Sequence, residues 1–283
     1  MKDSELKALI SLLDDDDPGV EKNVRNKLIE LGQEVIPELE NAWENQENET
    51  VQNRIEDIIH SIQSRDTILD LREWRMAGGG NLLKGWYLVS RYQFPELDFE
   101  PYKNQINRLV NRIWLDMRSG MTLPERLKVV NRMLFIREKF RPNRRNVADP
   151  SNFYLNTLLD SHKGNPISLG ILYLVICEEL ELPMQGMVLP GYFVLTYQDE
   201  KQEFFVDPFN KGSFFTRKDL EKYLSEVSSQ SPDAYDRPSS KIFIVLTLIH
   251  RLIESHQKRR NTAKVQELER LLEYIDPDNN FPA

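Results

Sequence analysis

Gly164-Asn165-Pro166-Ile167-Ser168-Leu169, Leu189-Pro190-Gly191-Tyr192-Phe193 and Val206-Asp207-Pro208-Phe209-Asn210 fall within one stretch, Lys163 to Gly212, that decides how the chain folds. Read in order, they predict a helix start, a strand and a second strand. Gly164-Asn165-Pro166 supplies a turn, and a helix begins at Ile167 and continues through Leu169, Leu172 and Leu180. Ser168 falls in its first turn. A helix N-terminus carries unpaired N–H groups and partial positive charge. A serine there either caps the helix or, given a base, acts as a nucleophile whose anion the same groups stabilise. Local physics alone favours the cap.

Gly186 to Thr196 reads as β-rich and Glu203 to Val206 as a short strand, with polar Tyr197 to Gln202 turning between them as a β-hairpin. Asp207-Pro208-Phe209 followed by Asn210-Lys211-Gly212 is good turn chemistry. The single cysteine, Cys177, is a rival nucleophile on the same helix. It lies nine residues beyond Ser168, about 13 Å along the axis and roughly half a turn round. With Val175 and Ile176 beside it, it reads as a buried, inert thiol.

Working outward, residues 1–63 read as helices. Leu6, Leu9, Ile10, Leu12 and Leu13 share a face, and Asp14-Asp15-Asp16-Asp17-Pro18 breaks it and caps the next helix. Val20, Val24, Leu28 and Leu31 follow, then Val35, Ile36, Leu39 and Trp43, then Ile55, Ile58, Ile59 and Ile62. These helix pairs resemble about one and a half HEAT-type repeats, fewer than such repeats need to stand alone. Residues 66–140 are also helical: one segment over Ile68 to Trp74, a Gly78-Gly79-Gly80 break, another from Leu82 to Val89, then Val110 to Met117 and Leu127 to Phe135. Lys218 to Leu224 returns to helix, Ser225 to Ser240 reads as a linker, and Ile242–Leu252 with Val265–Ile275 forms a final pair.

With 40% hydrophobic and 29% charged residues among 283, the chain has the make-up of a globular protein with a sizeable core. No apolar run approaches a membrane span, and Met1-Lys2-Asp3-Ser4-Glu5 lacks a signal core. One cysteine fits a reducing, cytoplasmic setting. A net charge of −8 argues against nucleic-acid binding. The local exception is basic: Arg132, Arg137, Lys139, Arg141, Arg144 and Arg145, read as a solvated helix end and loop. His60, His250 and His256 are scattered and no cysteine stands near them, so neither a zinc site nor any cofactor is expected.

The motif stretch resembles the SirB-type transglutaminase-like family, within the papain-like and transglutaminase-like superfamily. The resemblance runs from about Asp66 to Leu224. It includes Tyr92-Gln93-Phe94-Pro95-Glu96-Leu97-Asp98, Asn131-Arg132-Met133-Leu134-Phe135, Asp149-Pro150-Ser151-Asn152-Phe153-Tyr154-Leu155, the block Gly164 to Leu174, Leu189-Pro190-Gly191 and Asp207-Pro208-Phe209. It implies a nucleophile on the helix start, a base on the next strand and an orienting acid on the one after. Those positions read Ser168, Tyr192 and Asp207. The family has Pro-Gly-His-Phe where this chain has Pro190-Gly191-Tyr192-Phe193, and related enzymes use Cys-His-Asp. A phenol is a poor base at neutral pH. The nearest histidine in sequence is His162, in the preceding loop.

The expectation is therefore a mostly helical α+β protein in three parts. Residues 1–63 form HEAT-like helices, 66–224 a helical lead-in with a small papain-like core, and 241–276 a tetratricopeptide-like helix pair. Ser168, Tyr192 and Asp207 are expected to form a degenerate triad, beside a cleft to which His162, Asn165, Pro190 and Phe209 contribute. The expected function is non-catalytic binding of a protein or peptide partner, with no nucleic acid and no membrane. The alternative is an amide hydrolase or acyltransferase using Ser168 with a non-standard base.

Overall fold

The computed structural model describes residues 3–15, 17–227, 235 and 237–277. It is a mostly helical α+β fold with a small antiparallel sheet. The chain divides into two compact units, one of Met1–Asp70 with Arg91–Pro95, the other of Leu71–Ser90 with Glu96–Ala283.

The first unit contains α1 (Asp3–Ser11), α2 (Pro18–Leu31), α3 (Ile36–Glu44) and most of α4 (Glu49–Met76). Its core is Leu13, Leu28, Leu39, Ile55 and Ile58, all essentially inaccessible to solvent. Asp17 caps α2 by accepting from Gly19 N–H at 2.7 Å, with Pro18 at the first helical position. The sequence reading separated the Ile55–Ile62 segment from the Ile68–Trp74 segment. The structure joins them in the 28-residue α4, because Gln63-Ser64-Arg65-Asp66 contains neither Gly nor Pro to stop the ladder.

In the second unit most of α5 (Leu82–Gln93), α6 (Phe99–Asp116) and α7 (Leu123–Asn131) lead to a π-helical turn at Arg132–Arg137. Strand β1 (Arg141–Pro142), α8 (Leu155–Ser161) and β2 (Lys163–Gly164) then precede α9 (Pro166–Glu179). Every residue of α9 from Pro166 to Cys177 is buried, as an all-round apolar helix must be. Against it lies the sheet β3 (Gln185–Leu189), β4 (Tyr192–Gln198), β5 (Glu203–Asp207) and β6 (Ser213–Phe215), in that order and antiparallel. After it come α10 (Arg217–Val227), α11 (Lys241–Lys258) and α12 (Thr262–Ile275).

The stretch expected as one β-rich run, Gly186 to Thr196, is two strands. Pro190-Gly191 folds it back on itself, so that Leu189 pairs with Tyr192. Pro sets the first central position, and Gly191, at φ 68°, supplies the left-handed second one that a type II turn requires. The hairpin expected over Tyr197–Gln202 turns later, because β4 continues through Gln198. Of the expected linker, residues 228–234 and 236 lie outside the described residues.

Phe193 fixes the sheet on α9. Its ring is wholly buried and sits in a notch made by two glycines. A Cβ on Gly170 would lie 2.0 Å from Phe193 Cδ1, and one on Gly186 would lie 2.8 Å from Cζ. Tyr192, the residue before it, lines the same cleft as the start of α9.

Candidate functional site

Asn165 and Ser168 form a reciprocal capping box at the start of α9. The Asn165 side chain accepts from Ser168 N–H at 2.9 Å, and Ser168 Oγ accepts from Asn165 N–H at 3.1 Å. The Ser168 hydroxyl proton faces Asn165 O at 3.4 Å. Ser168 is fully buried, and a Cβ at Gly164 would fall 2.6 Å from its Oγ. The hydroxyl thus both accepts from and donates to the backbone of one residue, Asn165.

Tyr192 and Asp207 do meet. The phenol donates to the carboxylate, 3.2 Å from Oδ1 and 3.1 Å from Oδ2. Asp207 Oδ1 also accepts from Asn210 N–H at 3.1 Å, which caps the 3-10 turn Pro208–Asn210. Phe209 packs edge-on to Tyr192 with centroids 6.0 Å apart. Tyr223 packs at a tilt against Tyr192, centroids 5.8 Å apart, and donates to Pro190 O at 2.7 Å, bracing the turn. Burial pushes the Tyr192 phenol up, and the adjoining Asp207 charge pushes it further. Burial also raises the Asp207 carboxyl, against the opposing pull of its hydrogen bonds and of Arg144.

His162 is not brought to Ser168. It terminates α8 in the left-handed conformation, at φ 55°. Its Nδ1 is 2.5 Å from Glu138 O, and its ring stacks on Phe140 at 4.4 Å. Cys177 is fully buried, and burial holds its thiol well above the usual range.

Arg144 is the residue that sequence reasoning missed. It was read with its neighbours as solvated loop. In the structure β1 pairs in parallel with β2, Arg141 N donating to His162 O at 2.9 Å and Asn143 N to Gly164 O at 2.8 Å. That pairing carries Arg144 to the site, where its guanidinium lies 5.0 Å from the centroid of Phe209. Its charge favours the ionised forms of both Tyr192 and Asp207. A two-residue pairing leaves no pattern in a sequence, so nothing pointed to it.

Beside this cluster lies a cleft of about 140 Å³. Asn165, Pro166 and Ile167 form one wall, Gly191 and Tyr192 another, and Val147, Ala148 and Phe153 the floor. The fourth side is α11, through Thr247, Arg251, Glu254, Ser255 and Lys258. Of the residues expected at the cleft, Asn165 lines it, while His162, Pro190 and Phe209 do not. Ser168 is likewise absent from its wall, where the helix start presents Pro166 instead. Ser255 donates to Ala148 O, and Arg259 pairs with Asp149 at 2.6 Å, so α11 is fastened to the floor loop. The 247, 251, 254/255, 258 spacing is one helix face, a signal that could have been read.

The buried, paired groups set a pH dependence. The folded Asp207 carboxyl holds its proton to higher pH than in the unfolded chain. From about pH 4 upward the unfolded chain therefore deprotonates first. Stability falls as pH rises through the folded carboxyl's titration, then levels. Tyr192, also raised, adds a second decline from about pH 10 upward. Asp207→Asn is expected to remove the first decline and shrink the second to the part that burial of Tyr192 alone sets, read as the difference in urea midpoint between the two proteins across pH.

Among the described residues, no group of three His, Cys, Asp or Glu side chains could hold a metal ion. No helix of the described residues is long and apolar enough to cross a membrane.

Residues 100–249 match the model of the family described as Transglutaminase-like superfamily. A UPF0162 protein of Xylella fastidiosa strain Temecula1 is 28% identical over 156 residues, 55% of this chain and 55% of that protein. A UPF0162 protein of Buchnera aphidicola subsp. Schizaphis graminum is 27% identical over 133 residues, 45% of this chain and 49% of that protein. F-box only protein 21 of Mus musculus is 28% identical over 108 residues, 35% of this chain but 17% of that protein. The chain thus spans about half the length of the UPF0162 relatives it matches, and less of the F-box protein. No solved structure matches it.

Proposed function

The chain belongs to the transglutaminase-like superfamily, and from that premise we propose that its cleft binds a protein or peptide segment without cleaving it. One observation carries this reading: the three positions of the expected triad are occupied by groups already bonded to one another or to the backbone. The Ser168 hydroxyl is spent on Asn165, and a phenol rather than an imidazole faces Asp207. Acyl transfer needs a base within hydrogen-bond reach of the nucleophile. A tyrosine whose pKa is raised is a still poorer base in the neutral range, because its active form is the phenolate.

The cleft nonetheless has the make-up of a binding site. Apolar Val147, Phe153, Pro166 and Ile167 meet a few polar groups on α11. Its volume suits one anchoring side chain of a docked segment, with Arg251, Glu254 and Lys258 on the rim to read flanking charge. Within the superfamily we place the chain with SirB-type members, on its Gly164–Leu174 block and its Pro190-Gly191 turn. We place it in the cytoplasm on its single cysteine.

Peptides selected against the whole protein from a random display library test the reading. They are expected to bind at least tenfold more weakly to Val147→Arg, which projects into the cleft from a partly exposed position, and to be recovered intact. Equal binding by Val147→Arg places them elsewhere; cleavage products replace the proposal with an enzymatic one.

A further inference from the structure

The sheet has a second face. Phe193 packs on α9, and successive side chains of a strand point to opposite faces. Tyr192 and Val194 therefore belong to the other face, the one on which Leu220 and Leu224 of α10 pack with Leu189, Val194 and Phe205. Between that face and α10 lies a cavity of about 330 Å³, inside the range of about 300–1,000 Å³ usual for small-molecule sites. Buried Leu189, Val194 and Leu220 form its apolar part.

Three aromatic rings also line it, Tyr192, Phe215 and Tyr223. Each is held in place. Tyr192 donates to Asp207 at 3.1 Å, Tyr223 donates to Pro190 O at 2.7 Å, and Phe215 stacks on Phe205 with centroids 5.3 Å apart. The Tyr192 and Tyr223 centroids are 5.8 Å apart, so one cation can lie within the ~6 Å reach of a cation–π contact from both. The lining is negative: it holds two carboxylates, Asp207 and Asp219, and no Lys, Arg or His. Among the described residues neither carboxylate is in an ion pair. Arg144 and Lys222 act on them only from outside the lining.

The hydrogen bonds select the kind of cation. Asp207 already accepts from the Tyr192 hydroxyl and from Asn210 N–H. Asp219 Oδ2 accepts from both the N–H and the hydroxyl of Thr216, at 2.9 and 2.7 Å. A primary ammonium brings three donors and a guanidinium five. With acceptor sites already taken on both carboxylates, those donors would be left partly unmet, at a cost. A quaternary ammonium brings no donor. It asks for aromatic rings and uncompensated negative charge, and this cavity has both.

We propose that the cavity binds a trimethylammonium group, carried by a small solute such as choline or by a methylated lysine side chain. It is a separate site from the cleft beside α11, although Tyr192 lines both.

The full chain is to be titrated by isothermal calorimetry with choline and with the Nα-acetyl amide of trimethyllysine. The controls are the unmethylated lysine amide and the uncharged isostere of choline, in which a carbon replaces the nitrogen. The better of the two cations is expected to bind at least tenfold more tightly than either control, and which of the two it is names the source of the group. Phe215→Leu and Asp219→Asn, checked for folding by thermal melts, are each expected to weaken it at least fivefold. Val147→Arg, which blocks the other cleft, is expected to leave it unchanged, so this site is tested apart from the peptide reading. The comparison of ligands on the wild type stands even if a variant does not fold. Equal binding by either control, no saturable binding at millimolar cation, or binding indifferent to both folded variants overturns the proposal. So does loss of binding in Val147→Arg, which would put the ligand in the cleft.

Discussion

Gly170→Ala is expected to destabilise the protein by about 2 kcal/mol or more, although alanine is the better helix former. Intrinsic propensity favours alanine over glycine in a helix interior by about 1 kcal/mol. Against it stands the Phe193 ring, whose Cδ1 and Cε1 would lie 2.0 and 2.6 Å from the new Cβ. No flexible end can give way, because the ring is fully buried and is also flanked by Gly186. Overpacking of a tight core costs about 1–3 kcal/mol and sometimes more, so sterics outweigh propensity and the sign is set. Phe193→Ala is expected to cost about 3–5 kcal/mol as a cavity. The double variant should lose less than the two single losses combined, since the ring that alanine strikes has gone. Urea unfolding of the four proteins checks this. Additive losses would mean that the helix and sheet do not meet through this notch.

Arg75→Met is expected to cost about 3–5 kcal/mol, because it strands a buried charge. Arg75 pairs with Asp276 at the end of α12, and the two side chains are 18% and 5% exposed. Asp276 also ends α12 by donating its N–H to Leu272 O at 2.7 Å. Arg75→Met with Asp276→Leu is expected to recover most of the loss, since an apolar pair of similar volume substitutes for a buried ion pair at little cost. Should the single variant fall by less than about 1 kcal/mol, the range of an exposed pair, the pair is a surface contact and α12 is held by packing alone.

Much of the fold was legible because its signals are local. Pro166 to Cys177 is so uniformly apolar that only burial on all sides satisfies it, and Asn165-Pro166 marks where that helix starts. What was not legible depended on partners distant in sequence. Arg144 looks like any loop arginine until β1 pairs with β2. The α11 wall of the cleft lies about eighty residues beyond Pro166. Pro190-Gly191 was a readable turn, but the β-branched and aromatic residues on both sides hid it inside one long strand. The candidate site was half visible: Tyr192 and Asp207 lie on adjacent strands as the resemblance implied, while the buried cap around Ser168 turns that hydroxyl from the cleft.

The most direct test of whether the site lacks a working nucleophile is intact-mass analysis of the native protein after prolonged exposure to a fluorophosphonate probe. Tyr192→His should be treated in parallel to restore an imidazole. No adduct at Ser168 is expected in either protein, because the hydroxyl is enclosed and committed to Asn165 whatever base stands opposite. A stoichiometric adduct mapped to Ser168 in the wild type would contradict the account and make the cleft an active site.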